Sequence, residues 1–159
     1  MPFGPELDDP RRCGSANEPP GRPARRPRAA RPPRGEGIRG RVLIVEDDFL
    51  EALSLQLVLT GARYSVVGHV AAGREALAGA IAHKPDLVLV DVSLRGAMDG
   101  IDAARRIGPM AGSRVLFVTA YADPATVARM RAVHPAGILT KPFTAQELLV
   151  AVEAALAAQ

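Results

Sequence analysis

The chain has 159 residues, with 20 Lys and Arg against 17 Asp and Glu, 14 Pro, 15 Gly, one Cys and no Trp. That length suits one domain with some spare chain, 48% hydrophobic content argues against wholesale disorder, and no apolar run reaches the ~18 residues of a bilayer span. A single cysteine excludes an internal disulfide and a multi-cysteine zinc site, so a reducing cytosol fits best.

Residues 1–40 hold nine of the 14 prolines, nine arginines and six glycines against five acids. A stretch such as Pro19-Pro20-Gly21-Arg22-Pro23 has almost nothing apolar to offset the entropy of ordering, and the segment reads as a disordered leader. From residue 41 on, eleven Lys and Arg face twelve acids, so the basic balance belongs to the leader. A solvated leader is a simpler reading than a nucleic-acid arm, a transit peptide or a Pro-rich ligand. No aromatic residue interleaves its arginines for base stacking, and Glu6, Asp8, Asp9 and Glu18 stand where transit peptides avoid acids.

From Arg41 the pattern alternates strictly. Val42-Leu43-Ile44-Val45 is a continuous apolar run, as expected of a strand buried on both faces. Glu46-Asp47-Asp48 ends it, and a helix is predicted over 49–60, closed at Gly61. A β-branched second strand spans 64–70, and an Ala-rich helix spans 74–83, ending before Pro85. Leu87-Val88-Leu89-Val90 is a third strand closed by Asp91, followed by a Gly-containing loop and a helix over 100–107. Val115-Leu116-Phe117-Val118 runs into Thr119, and Asp123-Pro124 is a strong helix start. Gly137-Ile138-Leu139 makes a short fifth strand closed by Thr140-Lys141-Pro142. Thr144 to Glu147 spell a capping box, and Leu148, Leu149, Val152 and Leu156 share one face of the last helix. Five strands alternating with five helices predict an α/β, doubly wound parallel sheet. A Rossmann dinucleotide site would need its glycine fingerprint after the first strand, where Glu46-Asp47-Asp48-Phe49 stands instead, and no Walker sequence occurs.

In open α/β sheets, ligands bind beyond the carboxyl ends of the strands. Those ends carry Glu46 and Asp47, Asp91, Thr119 and Lys141. Clustered carboxylates repel unless a cation shares them, and an oxygen-only set favours Mg²⁺ over Zn²⁺. A lysine and a hydroxyl beside them suit a phosphoryl group. Each residue alone has a plain explanation: Asp47 or Asp48 as a helix cap, Thr119 as a strand residue, Lys141 as a loop charge. Their coincidence at the ends of four strands favours a site.

The segments Val42 to Asp48, Leu87 to Asp91, Met98-Asp99-Gly100, Val118-Thr119-Ala120 and Thr140-Lys141-Pro142-Phe143 together resemble the receiver domain of bacterial two-component response regulators. The resemblance covers roughly residues 41–159 and implies a flavodoxin-like sheet of strand order 2-1-3-4-5. It implies Asp91 as the phosphoacceptor for a sensor histidine kinase or histidine phosphotransfer protein, forming an aspartyl phosphate. It implies Mg²⁺ as cofactor, held by Asp47, Glu46, Asp91 and the Ser93 backbone carbonyl. Lys141 would pair with the phosphoryl oxygens, Thr119 would hydrogen-bond to them, and the Lys141-Pro142 bond would be cis.

Three departures stand out. Glu46 replaces the commoner Asp, the loop Ser93-Leu94-Arg95-Gly96-Ala97-Met98 is one residue longer with Arg95 where proline is frequent, and Ile138 occupies the place of the switch aromatic. Tyr121 is the aromatic that takes over on this reading. Because the chain ends after the fifth helix, a single-domain regulator is expected. Its output would pass to a downstream partner through the fourth helix, fifth strand and fifth helix, including Arg129, Met130 and Val133. No DNA-binding domain or membrane contact is expected, and a homodimer stays open. The packing alternative places Val127 and Met130 in the core. Other readings are a phosphate sink, a phosphorylation-independent pseudo-receiver, or an aspartyl-phosphate phosphatase, whose D-x-D-x-[TV] start Asp91-Val92-Ser93-Leu94 does not match.

Overall fold

The structure is a computed structural model that describes residues 37–121 and 123–158; apart from residues 37–40, the expected leader lies outside the described residues, as do Ala122 and Gln159. Five strands, β1 (Gly40–Val45), β2 (Tyr64–Val70), β3 (Leu87–Val90), β4 (Arg114–Thr119) and β5 (Gly137–Thr140), form one parallel sheet in the order β2-β1-β3-β4-β5. Between and after them run α1 (Phe49–Gly61), α2 (Gly73–His83), α3 (Gly100–Ala111), α4 (Pro124–Arg131) and α5 (Ala145–Ala157). This is the doubly wound parallel sheet expected from the alternation of elements, in the flavodoxin-like order that the resemblance implies.

The apolar runs are continuous because both faces of the sheet are covered. Leu43, Val45, Val88, Val90 and Phe117 point to the face packed by Ala76, Ala80, Ile101, Ile107 and Met130 of α2, α3 and α4. Val42, Ile44, Leu87, Leu89, Leu116 and Val118 point to the face packed by α1 and α5, through Leu55, Leu59, Leu148 and Val152. Successive residues alternate faces, so two adjacent apolar positions serve two separate cores. Met130 is fully buried and Val127 packs on the same core, which removes Met130 from the expected output surface. No helix among the described residues is long and apolar enough to cross a membrane.

The helix starts follow their capping chemistry. Asp123 accepts from the Thr126 N–H with Pro124 in the first turn, and Thr144 and Glu147 close a reciprocal capping box. α3 runs one turn past its expected end, through Pro109, to Gly112 in the left-handed conformation. Its fully buried residues stop at Ile107, and in the extra turn Ala111 packs on the core only in part, a signal too weak for an apolar periodicity to register. The folded body also takes in Arg39 and Gly40. The Arg39 N–H donates to the Arg63 carbonyl (3.0 Å), and its guanidinium lies 5.3 Å from the Tyr64 ring centre. A composition window groups both residues with the leader.

Candidate functional site

Backbone bonding carries the strand ladder one residue past each strand end. The Asp91 N–H donates to the Val45 carbonyl (2.9 Å), the Glu46 N–H to Val70 (3.0 Å) and the Lys141 N–H to Thr119 (2.8 Å). Asp91 follows β3, the central strand, and Glu46 and Lys141 flank it from β1 and β5. Glu46, Asp91 and Thr119 are buried, and two carboxyl groups side by side in such a place call for a partner.

The partner is Lys141. Its Nζ lies 3.2 Å from Glu46 Oε2 and 3.5 Å from Asp91 Oδ2, and it also donates to Glu51 of α1. Glu46, Glu51 and Asp91 bring carboxylate oxygens within 4.8 Å of one another. Burial, and next among the raising influences the charge of Asp91, push the Glu46 carboxyl above its ordinary range, against the pull of the Asp48 N–H and Lys141. Burial opposes the Lys141 ammonium, but the hydrogen bond to Glu51 and the charges of Asp91 and Glu46 outweigh it and raise its pKa. The lysine stays protonated, held by the carboxylates around it.

The two aspartates after Glu46 take different roles. Asp48 caps α1, accepting from the Leu50 and Glu51 N–H groups (both 2.9 Å). Asp47 instead faces Arg95 of the β3–α3 loop, with Arg95 Nε 3.0 Å from its Oδ2. The Ser93 N–H donates to Asp91 Oδ1 (3.1 Å), orienting that carboxylate from the following loop. Thr119 Oγ1 accepts from the Tyr121 N–H (3.0 Å); the Tyr121 ring is exposed, while Ile138 packs on the core. Gly100 is required by close approach. A Cβ there would stand 1.9 Å from the Asp91 carbonyl oxygen, so the Met98-Asp99-Gly100 segment seats α3 directly on the backbone of the central aspartate.

Of the residues singled out from the sequence, Glu46, Asp91 and Lys141 are in mutual contact, Ser93 touches Asp91, and Asp47 and Thr119 sit at the rim with partners of their own. Glu51 and the Arg95–Asp47 pair were not foreseen. Glu51 carries one signal: it lies in the first turn of a helix that starts on this edge, where an acid also suits the helix dipole. The Lys141-Pro142 bond is cis, as the resemblance implies.

The donor chemistry fits a hard divalent cation. The clustered ligand atoms are carboxylate oxygens throughout, and four carboxylates, Glu46, Asp47, Glu51 and Asp91, face the two cations Lys141 and Arg95. Oxygen ligands with excess negative charge suit Mg²⁺.

The response regulator receiver domain family matches residues 42–153. The chain is 38% identical over 116 residues to the transcriptional regulatory protein PdtaR of Mycobacterium tuberculosis, covering 73% of this chain and 56% of that protein. It is 35% identical over 121 residues to the DNA-binding response regulator MtrA of Mycobacterium leprae, covering 75% and 52%. The chain thus spans about half the length of the curated relatives it matches. Among solved structures it is similar to the signal receiver domain of a modulated diguanylate cyclase from Desulfovibrio desulfuricans G20, with TM-score 0.70 and 38% identity over 74% of this chain and 93% of that one. It is likewise similar to the response regulator domain of Thermotoga maritima CheB, with TM-score 0.69 and 27% identity over 75% and 97%. On its match from Val42 onward, its strand order and these relatives, the chain belongs to the response regulator receiver domain family.

Proposed function

We propose that the chain is a cytoplasmic phosphoacceptor in phosphorelay signalling, with Asp91 as the acceptor and a sensor histidine kinase or histidine phosphotransfer protein as the donor. What carries this reading is the buried Asp91 carboxylate with the Lys141 ammonium 3.5 Å from its Oδ2. An Asp91 oxygen attacks the phosphorus of a phosphohistidine; the P–N bond breaks, imidazole leaves with its electron pair and takes up a proton, and an aspartyl phosphate remains. Lys141 balances charge on the incoming phosphoryl oxygens, and the Ser93 N–H holds the carboxylate in place for attack. Asp47, Glu46, Asp91 and the Ser93 carbonyl would hold Mg²⁺. When bound, Mg²⁺ supplies charge neutralisation and orientation for the phosphoryl group.

Thr119 exchanges its bond from the Tyr121 N–H for one to the phosphoryl group, so the loop after β4 responds to modification. One charge-assisted hydrogen bond is worth about 1.5–3 kcal/mol, a population shift of roughly tenfold to a hundredfold. Output passes to a partner through the α4–β5–α5 face, with Arg129 and Val133 but without Met130. The test is mass spectrometry after incubation with acetyl phosphate and Mg²⁺. One acid-labile phosphoryl group is expected on the wild type and none on Asp91→Asn. Undiminished labelling of the Asn variant overturns the assignment.

A further inference from the structure

We infer that Arg95 is a built-in competitor of the metal: its guanidinium holds Asp47 in the resting protein, and Mg²⁺ must displace it to reach that carboxylate. The inference rests on the reading of Asp47 as a metal ligand. Lys141 neutralises the inner carboxylates Glu46 and Asp91 and touches Glu51, but no contact joins it to Asp47. Asp47 is instead paired with Arg95, Nε to Oδ2 at 3.0 Å. The two ends of that pair differ. The Asp47 side chain is 16% exposed and fixed at the end of β1, whereas Arg95 is 91% exposed on the loop that follows Asp91. The arginine therefore loses almost no packing when it swings away, and the aspartate is left in place for another cation. An exchange of this kind costs little, since an ion pair with one partner out in solvent is weak.

The geometry also excludes a permanent structural role. A structural arginine buries its stem or forks onto a carboxylate with two nitrogens; Arg95 does neither, with one nitrogen in contact and its stem in solvent. Its neighbour Arg74 lines the same groove beside Gly73 and Met98 and has no contact with Asp47. That makes Arg74 a control for charge alone.

The experiment is isothermal titration of Mg²⁺ into the full chain and into Arg95→Ala, Arg74→Ala, Asp47→Asn and the Asp47→Asn/Arg95→Ala double variant. Arg95→Ala is expected to bind Mg²⁺ about twofold to fivefold more tightly than wild type at low ionic strength, and the gain shrinks as salt screens the pair. Arg74→Ala leaves the affinity unchanged. In the Asp47→Asn background, which binds weakly, Arg95→Ala adds nothing, as a double-mutant cycle requires of a direct pair. Equal tightening by Arg74→Ala, or a gain that survives in the Asp47→Asn background, overturns the inference in favour of a general field effect. So does an unchanged or weakened affinity for Arg95→Ala while Asp47→Asn still impairs binding. If Asp47→Asn binds as well as wild type, or the wild type binds no Mg²⁺, the metal reading of Asp47 itself falls.

Discussion

The two edges of the sheet bury polar groups in opposite ways. At the amino edge each group meets backbone. The Arg41 N–H donates to Asp86 Oδ2 (2.9 Å), the Asp86 N–H returns a bond to the Arg41 carbonyl (2.8 Å), and Ser113 Oγ donates to the Pro85 carbonyl (2.8 Å). Arg41 Nη1 is the exception there, buried with no hydrogen-bond partner. At the carboxyl edge, charged side chains meet one another: Glu46, Glu51 and Asp91 share a single ammonium, and Asp47 takes a guanidinium from a loop. The first set stitches strand starts together. The second leaves charge over, and surplus charge in a concave, part-buried place is what a ligand can use.

The largest expected effect probes how the carboxyl edge is held. In Gly100→Ala the new Cβ meets backbone, the Asp91 carbonyl, at 1.9 Å, and no rotamer relieves it. A loss of about 3–5 kcal/mol is expected by urea unfolding, in the range of severe core disruptions, with reduced labelling of Asp91 in the fraction that folds. A silent Gly100→Ala would mean that α3 is free to lift from the central strand.

Paired variants across the two edges come next. Asp86→Ala removes the acceptor of the Arg41 N–H and should cost about 1–3 kcal/mol, the usual penalty for stranding a buried donor. Acetyl phosphate should still label Asp91. Asp91→Asn should show the reverse: no labelling, and stability unchanged or raised by up to about 1 kcal/mol, because it removes a carboxylate from a crowded site. If Asp86→Ala abolishes labelling at full stability, or Asp91→Asn unfolds the protein, the division between the edges does not hold.

That division was half legible in the sequence. The strands were readable because both sheet faces are buried, so runs such as Leu87-Val88-Leu89-Val90 are apolar without interruption. The carboxyl-edge residues were readable because each strand run ends abruptly on a charged or hydroxyl side chain. What the sequence left open is which of Asp47 and Asp48 caps α1, since both fit an N-cap by type. Only the backbone path, with Asp48 in extended conformation (ψ 116°) and aimed at the Leu50 and Glu51 N–H groups, decides it. Glu51 was hidden by a second sufficient explanation, its suitability for a helix N-terminus. The Arg95–Asp47 pair joins residues of two loops whose geometry no periodicity encodes.

The smallest expected effect is also the sharpest test, because Asp99 sits near the chemical edge yet is bonded like the residues of the other one. It caps α3 by accepting from the Asp102 N–H (2.8 Å) and pairs with Arg129 Nη2 of α4 (2.6 Å). Burial alone would raise its pKa, but the Asp102 N–H and the Arg129 guanidinium outweigh it and hold the carboxyl below its usual value. A carboxyl depressed in the folded state contributes stability that is fully present above its unfolded pKa, about 4, and is lost as pH falls through the lower folded value. Wild-type stability should therefore decline more steeply than that of Asp99→Asn from roughly pH 4 downward. At neutral pH, Asp99→Ala should cost about 1 kcal/mol, the worth of a helix cap. Labelling of Asp91 should persist in both variants, because every oxygen of Asp99 that bonds is already committed to α3 and α4. If Asp99→Asn instead loses labelling while keeping full stability, hydrogen-bond satisfaction no longer separates structural from chemical carboxylates in this fold.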